Sequence, residues 1–475
     1  MTTSRSAVTP HYTGITTRDP IAFMAELDAL RFAKLQRQIA YCFANSTYYR
    51  DKLRAAGVAD PRDIRSLDDF RRLPALITKS EHREIQQQSL ERDGHPFGTH
   101  LCAPLEKVIH VAGTSGTTGD PTFYTFTRKD LDITLKVFGR MWAAIGLRPG
   151  ESVFHANGLS LWLGGITAIM AFEAYGARPI PIGAEAGISR ILRYMKLTRP
   201  TALICTPSLA THLIDRCRDE IGCDVAALGV RRLMVGGEPG GGLPPVRAAL
   251  SEAWDASVHD LAGGAWHNGM ISPGGNDYHG MHVMGEDYCF RYDLRDPETH
   301  EPLPMIDGAV GEAIHTGLDY EAGPGLRYAT GDIVRLHVGE CPSDGVFGTR
   351  VEIIGRADDL LIVKGVKVYP ASLKQVIADF GSDVGDFRID LDTPPPRVTP
   401  PLRLTIEAGR ELAADHCAAL AERIAERMHA LLSIRPRITM VAHGTLPRSN
   451  QKTQIIRVVR PGGSPAAQGP EGTKP

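Results

Sequence analysis

Between Lys129 and Val235 short apolar runs alternate with helical stretches, and this alternation constrains the fold more than any other feature of the sequence. Lys129–Ile145, Ile188–Leu197 and Ser208–Asp219 space their apolar residues as helices do. Ser152–Ala156, Arg178–Ile182, Thr201–Thr206 and Arg232–Val235 are short and apolar, as strands are. Strands separated by helices pair in parallel, with the helices packed on the sheet faces. The chain is therefore expected to be α/β. Ligands of such sheets sit where strands end in loops, on the carboxyl side. Val235-Gly236-Gly237-Glu238-Pro239 has that character, a strand running into glycines and then an acid.

The flanks differ in texture. Residues 1–20 read as disordered and residues 21–100 as a helical arm: Ile21–Ala44, a second helix ending near Gly57, and a third begun by Ser66 and run through Arg72. Residues 286–350 are β-rich, and Leu326–Asp332 reads as a strand closing on an acid. After the charged turn Arg356–Asp359 come a helix at Ala371–Phe380, a proline-rich loop and a strand at Leu402–Glu407. A helix at Arg410–Leu432 follows, with Leu412, Leu420, Ile424, Met428 and Leu431 on one face. The expected division is a domain of residues 21–356, a smaller one of residues 357–460, and a disordered tail at 461–475. Leu159–Phe172, too short to span a bilayer, reads as buried core.

One segment points to phosphate. An apolar run from Val108 to Val111 breaks at Gly113, and Thr114-Ser115-Gly116-Thr117-Thr118-Gly119 follows. Glycines let successive backbone N–H groups turn inward around an anion, and the hydroxyls add donors. Phe123, Tyr124 and Phe126 then alternate like the second strand of a hairpin. No Gly-Lys-Ser/Thr follows the glycines, which excludes a Walker loop. With 53 basic and 55 acidic residues interspersed and a net charge of −2, nothing marks a nucleic acid or an anionic membrane as partner. Eight scattered cysteines without a CxxC pair, and no apolar leader, fit a reducing, cytoplasmic setting.

Five segments recur in a telling order: Ser-Gly-Thr-Thr-Gly-x-Pro-Thr, Gly237-Glu238-Pro239, Tyr328-x-Thr330-Gly331-Asp332, Gly355-Arg356-Ala357-Asp358-Asp359, and Leu446-Pro447-Arg448-Ser449-Asn450-Gln451-Lys452. In this set the chain, from about Ile39 to Val458, resembles the adenylate-forming superfamily and most closely its phenylacetate–coenzyme A ligase branch. The resemblance implies a large N-terminal adenylation domain of mixed and parallel sheets with helices, plus a small mobile α+β C-terminal domain. It also implies an AMP-forming acid ligase, in which a carboxylate attacks the α-phosphorus of ATP to give an acyl-adenylate and pyrophosphate. The small domain then swings, and coenzyme A displaces AMP. By the same resemblance Thr114, Ser115, Gly116, Thr117, Thr118 and Gly119 hold phosphates, and Gly237, Glu238 and Pro239 border adenine, with Asp260 also at the nucleotide. Asp332 takes the ribose hydroxyls, Arg356 assists at ribose or phosphate, and Lys452 reaches the reacting oxygens. Asp358 is the hinge, while Lys364, Gly365 and Tyr369 shape the coenzyme A tunnel. ATP, Mg2+ and coenzyme A are the implied cofactors, in a monomer or homodimer. An amine or a carrier-protein thiol is the alternative acceptor, as in a biosynthetic pathway; a non-catalytic nucleotide-binding homologue is the third reading.

The chain departs from this pattern in three places. The family's Tyr-Gly-x-Thr-Glu segment is here Ala262-Gly263-Gly264-Ala265-Trp266, so the adenine-stacking Tyr, the phosphate Thr and the magnesium-holding Glu are replaced. Indole does not substitute for a carboxylate on Mg2+, which leaves Glu238 and the loop hydroxyls as candidates. Asp120 stands where lysine is usual. Relatives often carry structural zinc on His and Cys ligands; with only His282 and Cys341 kept, no zinc is expected, and no protein residue is assigned to a metal. Trp162, Ile169, Met170 and Gly236 are expected to line the acid pocket, with Trp266 closing it on the phosphate side. An apolar, flat pocket suits an aromatic or arylalkyl acid.

Overall fold

The structure, a computed structural model, describes residues 19–114, 121–410, 412–447 and 455–459. Of the segments expected to be disordered, 1–18 and 461–475 lie outside these residues, whereas Asp19 and Pro20 already open the first helix. The Asp19 carboxylate accepts the Ala22 N–H, and the helix runs Pro20–Asn45. The chain forms two compact units that divide between Ile354 and Gly355.

In the first unit five strands pair in parallel, in the order Arg178–Pro181, Ser152–His155, Ala202–Cys205, Arg232–Gly236 and Ser257–Gly264. Ser257–Gly264 pairs antiparallel on its other edge with Asn268–Ile271, and the sheet continues through Met281–Val283, Phe347–Arg356, Tyr328–Glu340, Val310–Gly317 and Cys289–Arg295. Apolar residues coat both faces of the parallel part. Leu203, Leu233 and Val235 meet Ile191, Leu213 and Trp254 from helices Ile188–Thr198, Pro207–Ile221 and Pro244–Trp254. On the opposite face Met234 joins Phe138, Trp142 and Phe172, and the last two rings stack at 4.2 Å. Helices start where side chains satisfy their free N–H groups. Thr206 Oγ1 accepts the Leu209 N–H, and Thr127 and Asp130 form a reciprocal capping box.

Several expectations change. Leu159, Leu161 and Ile166 are exposed, so Leu159–Phe172 is not continuous core: it opens as a surface loop, while Leu163 and, on helix Ile166–Tyr175, Ala168, Ala171 and Phe172 are buried. The strand Tyr328–Glu340 passes through Asp332 without ending there, because its hydrogen bonds to Val310–Gly317 resume at Ile333. The arm is not wholly helical: Ile77-Thr78 pairs in parallel with Tyr328-Ala329. Among the described residues no helix is long and apolar enough to cross a membrane.

The second unit holds a three-stranded sheet (Val366–Val368, Leu361–Val363, Arg397–Val398) and a four-stranded one (Arg437–Val441, Arg403–Ala408, Val384–Leu391, Ile456–Val458). Helices Pro370–Ala378 and Cys417–Leu432 share their core. The longer helix begins at Cys417, so Leu412 precedes it. Leu420, Ile424 and Met428 rise by fours into the core; that line continues to Leu432, which leaves Leu431 51% exposed.

The arm is tied to the large sheet by a buried ion pair. Arg327 Nη1 lies 2.8 Å from Asp293 Oδ2, and Arg327 Nη2 donates to the carbonyls of Arg71 and Leu73. Arg71 Nε donates to the other Asp293 oxygen at 3.1 Å. Removing one member of a buried pair strands the remaining charge, at a cost of about 3–5 kcal/mol. Asp293→Ala is therefore expected to lower the unfolding free energy of the larger unit, read from urea titration, by that order, and a change within about 0.5 kcal/mol, the range of ordinary surface substitutions, would contradict the account.

Candidate active site

Strand His110–Thr114 pairs antiparallel with Thr122–Phe126, and Thr114 stands opposite Thr122. The two ends of the Gly/Ser/Thr loop are thus brought side by side. Ser115, Gly116, Thr117, Thr118, Gly119 and Asp120 themselves lie outside the described residues, as does Lys452. The hairpin is braced from below. Gly113 donates its N–H to the Leu161 carbonyl at 2.7 Å, and the His110 ring meets Thr167 Oγ1 at 2.8 Å. Neither contact was apparent from the sequence, since both join segments about 50 residues apart.

The loop carrying Leu161 also reaches the parallel strands. His155 Nε2 bonds the Gly164 carbonyl at 2.8 Å. The Trp162 ring lies over Gly237, where a Cβ would come within 3.1 Å of Cη2. Gly237 has φ +89°, which glycine adopts freely. At Gly236 a Cβ would fall 2.3 Å from the Leu261 carbonyl, so that strand end is closed to any larger residue. Trp162, Gly236 and Gly237 are therefore adjacent, with Ile169 and Met170 half-buried on the following helix. The Glu238 carboxylate accepts the Ser208 N–H at 2.8 Å, at the start of helix Pro207–Ile221, where the helix dipole favours negative charge.

Asp260, on the next strand, accepts the Tyr278 hydroxyl at 2.9 Å. Gly241 and Gly242 pack directly on this pair, with room for no Cβ against Asp260 Oδ1 or the Tyr278 ring. Arg247, buried beneath, donates to the carbonyls of Gly241, Pro273 and Gly275 and to Ser272 Oγ. Burial raises the Asp260 carboxyl to about 6, against the pull of the Tyr278 hydrogen bond and the Arg247 charge. Burial, then the Asp260 charge, pushes the Tyr278 phenol well above its ordinary value.

Asp332 follows Gly331, whose φ is +76°, and its N–H is held by Thr330 Oγ1 at 3.0 Å. Trp266, expected to close the acid pocket, is a buried side chain. It is 5% exposed and packed among Tyr124, Tyr328 and His315, with its Nε1–H donated to the Gly323 carbonyl at 2.7 Å. Met170 and Leu163 belong to the same buried cluster.

In the second unit Arg356 is bidentate to Asp358, at 2.9 and 3.2 Å. Lys364 and Gly365 both have positive φ between strands Leu361–Val363 and Val366–Val368, as the commonest two-residue hairpin turn requires. Tyr369 packs on Gly355, where a Cβ would meet its Cγ at 2.7 Å. The buried Glu407 carboxylate accepts the Leu446 N–H at 2.6 Å and so anchors the chain just before the Pro447–Lys452 segment.

His282, Cys341 and Asp344 gather their ligand atoms within 4.8 Å of one another. The third of these was missed in the sequence because the other expected ligands are cysteines. The donors are of kinds that zinc accepts, and they also satisfy one another: His282 Nε2 and Asp344 Oδ2 are 3.1 Å apart. Burial, the largest influence, pushes the Cys341 thiol up, but the hydrogen bonds of His282 and the Ser343 backbone together outweigh it and leave the thiol lowered. For Mg2+ the fit is poor at position 266, where the segment offers an indole committed to a backbone carbonyl.

Known proteins share this architecture. Residues 365–460 match the family model described as the AMP-binding enzyme C-terminal domain. The chain is 31% identical over 442 residues to a phenylacetate-coenzyme A ligase of Thermus thermophilus, covering 89% of this chain and 94% of that one. The phenylacetate-coenzyme A ligase of Escherichia coli is 28% identical, with 91% and 95% covered. Among solved structures, 2-hydroxyisobutyryl-CoA ligase in its postadenylation state, in complex with 2-HIB-AMP, superposes with a TM-score of 0.80 at 26% identity, covering 92% of this chain and 90% of that one.

The Asp260 carboxyl makes a pH prediction. Its pKa rises from 3.8 unfolded to about 6 folded, so the folded protein keeps a proton that the unfolded chain has released. That stabilisation is complete below about pH 4 and is lost as pH rises through about 6. Above that, the charged form costs about 2 kcal/mol, less than the full shift because the carboxyl is partly open to water. Asp260→Asn is expected to raise the Tm relative to the parent at pH 7.5 and to give no gain near pH 4. A gain independent of pH would contradict this origin.

Proposed function

Because the chain belongs to the phenylacetate–coenzyme A ligase family of adenylate-forming enzymes, we propose that it joins an aromatic or arylalkyl carboxylic acid to coenzyme A through an acyl-adenylate, with ATP cleaved to AMP and pyrophosphate. The observation that carries the choice of acid is the Trp162 ring lying on Gly237. It sets a flat apolar ring beside the Gly237-Glu238-Pro239 segment, a partner for an aromatic group more than for a second charged one.

The chemistry sets two anions against each other, a carboxylate and the α-phosphate. It needs donors and cations fixed in advance where charge develops. The N–H groups and hydroxyls of Thr114–Gly119 serve the leaving phosphates, Lys452 the reacting oxygens, and Asp332 the ribose hydroxyls. Gly237, Glu238, Pro239 and Asp260 form the adenine side. Mg2+ supplies charge neutralisation when it accompanies ATP, but the family's carboxylate position does not hold it here. Transfer to coenzyme A then uses the second unit: Asp358 as hinge, Arg356 released from it toward the nucleotide, and Lys364, Gly365 and Tyr369 along the thiol's path. Eight cysteines, none in a disulfide, suit a reducing, cytoplasmic setting for this reaction.

The test is to incubate the protein with ATP and a panel of acids, identify acyl-AMP by mass, then add coenzyme A. Aryl and arylalkyl acids are expected to give both acyl-AMP and thioester; an adenylate that reacts only with an amine or a carrier protein would overturn the acceptor. Lys452→Ala is expected to slow acyl-AMP formation by about 10²–10³-fold, the effect of removing one such preorganised charge. Turnover of supplied acyl-AMP with coenzyme A should remain near the parent rate. Equal losses in both half-reactions would contradict a lysine used in one conformation only.

A further inference from the structure

Trp266 occupies a backbone position that its residue type disfavours. Trp266 and His267 have φ +61°, in the three-residue connection between strands Ser257–Gly264 and Asn268–Ile271. Positive φ is uncommon outside glycine and asparagine and an outlier for bulky side chains, so tertiary contacts hold this turn. His267 Nδ1 meets Thr134 Oγ1 at 3.1 Å. The indole is edge-on to Tyr124 at 5.1 Å, tilted on Tyr328 at 4.6 Å and stacked on His315 at 5.1 Å, arrangements in which aromatic pairs attract beyond simple burial. Two glycines make room for it. A Cβ at Gly325 would lie 2.5 Å from Trp266 Cε2, and one at Gly317 would lie 2.9 Å from Trp266 Cβ.

The partners of this ring are the supports of the nucleotide segments. Tyr124 is in the strand that leaves the Gly/Ser/Thr loop, two residues after Thr122. Tyr328 begins the strand that reaches Asp332 four residues later. Gly323, which accepts the indole N–H, is in the connection that leads into that strand. We propose that Trp266 is a positioning residue that fixes the phosphate-loop hairpin against the ribose-binding strand, a tie through packed rings at a position that offers no metal ligand. It thereby sets ATP affinity and leaves selection of the acid to Trp162 and its neighbours. This rests on the nucleotide reading given above. It differs from a packing role because both tied elements belong to one ligand, so loosening the tie separates phosphate from ribose contacts.

The experiment uses the full chain and binding of α,β-methylene-ATP by calorimetry, which needs no turnover, beside steady-state kinetics. Trp266→Leu is expected to weaken the analogue at least 10-fold and to raise the KM for ATP by a similar factor, with the KM for the acid within 2-fold. Trp266→Phe, which keeps a ring, should stay within about 3-fold of the parent. Tyr124→Leu, which removes only the hairpin's ring, should reproduce the loss of analogue binding even if Trp266→Leu does not fold. Unchanged analogue binding in Tyr124→Leu, or altered acid preference with unchanged nucleotide binding in Trp266→Leu, would overturn the proposal. So would a lowered Tm as the sole effect of both. A parent protein that binds the analogue but forms no acyl-AMP from any acid would defeat the proposed function while leaving this tie intact.

Discussion

Strand Ser257–Gly264 is parallel to one neighbour and antiparallel to the other, and the placement of the site depends on that change. Parallel strands deliver their carboxyl ends to one edge of the sheet, where Gly236, Gly237 and Glu238 emerge. The switch to antiparallel pairing then turns the chain back at once, through Ala265-Trp266-His267, at that same edge. Asp260 and the Trp266 turn therefore belong to one strand and its exit. Inserting a helix after Gly264, as after the preceding strands, would carry Trp266 away from Tyr124 and Tyr328.

Around this edge, glycine is used for closeness more than for flexibility. Gly236 meets the Leu261 carbonyl, Gly241 the Asp260 carboxyl, and Gly317 and Gly325 the indole. Each would clash with a Cβ, so each records a pair of segments pressed into contact. Packed interiors resist small displacements, and this stiffness allows distant segments to hold one ligand in a single geometry. The loops of the candidate site are braced by single hydrogen bonds, as Gly113 N–H to Leu161 and His155 to Gly164 show.

Much of this was legible in the sequence where local rules prevail. The strands at Ser152, Arg178, Thr201 and Arg232, the helices between them, the Ser66 cap and the hairpin around the Gly/Ser/Thr loop follow from periodicity and capping chemistry. Helix Pro244–Trp254 was not read, because its proline pair and glycine-rich approach resemble loop. Asp332 was taken as a strand end, since Thr-Gly-Asp is turn chemistry; strand pairing beyond it overrides that preference. Leu431 fell off its helix face because the face is set by the true start at Cys417 and the fourfold steps to Leu432. Trp266 was assigned to the pocket by position alone. Its burial depends on Gly317, Gly325 and Tyr328, which lie more than 50 residues away and carry no local signal.

The central claim is that this edge of the sheet activates an aromatic acid by direct attack on ATP, before any acceptor takes part. The most direct measurement is acid-dependent exchange of labelled pyrophosphate into ATP, with phenylacetate as the probe and coenzyme A omitted. The account predicts exchange that requires the acid and proceeds without coenzyme A. Exchange that is absent for every aryl acid, or that appears only when coenzyme A is added, would contradict it.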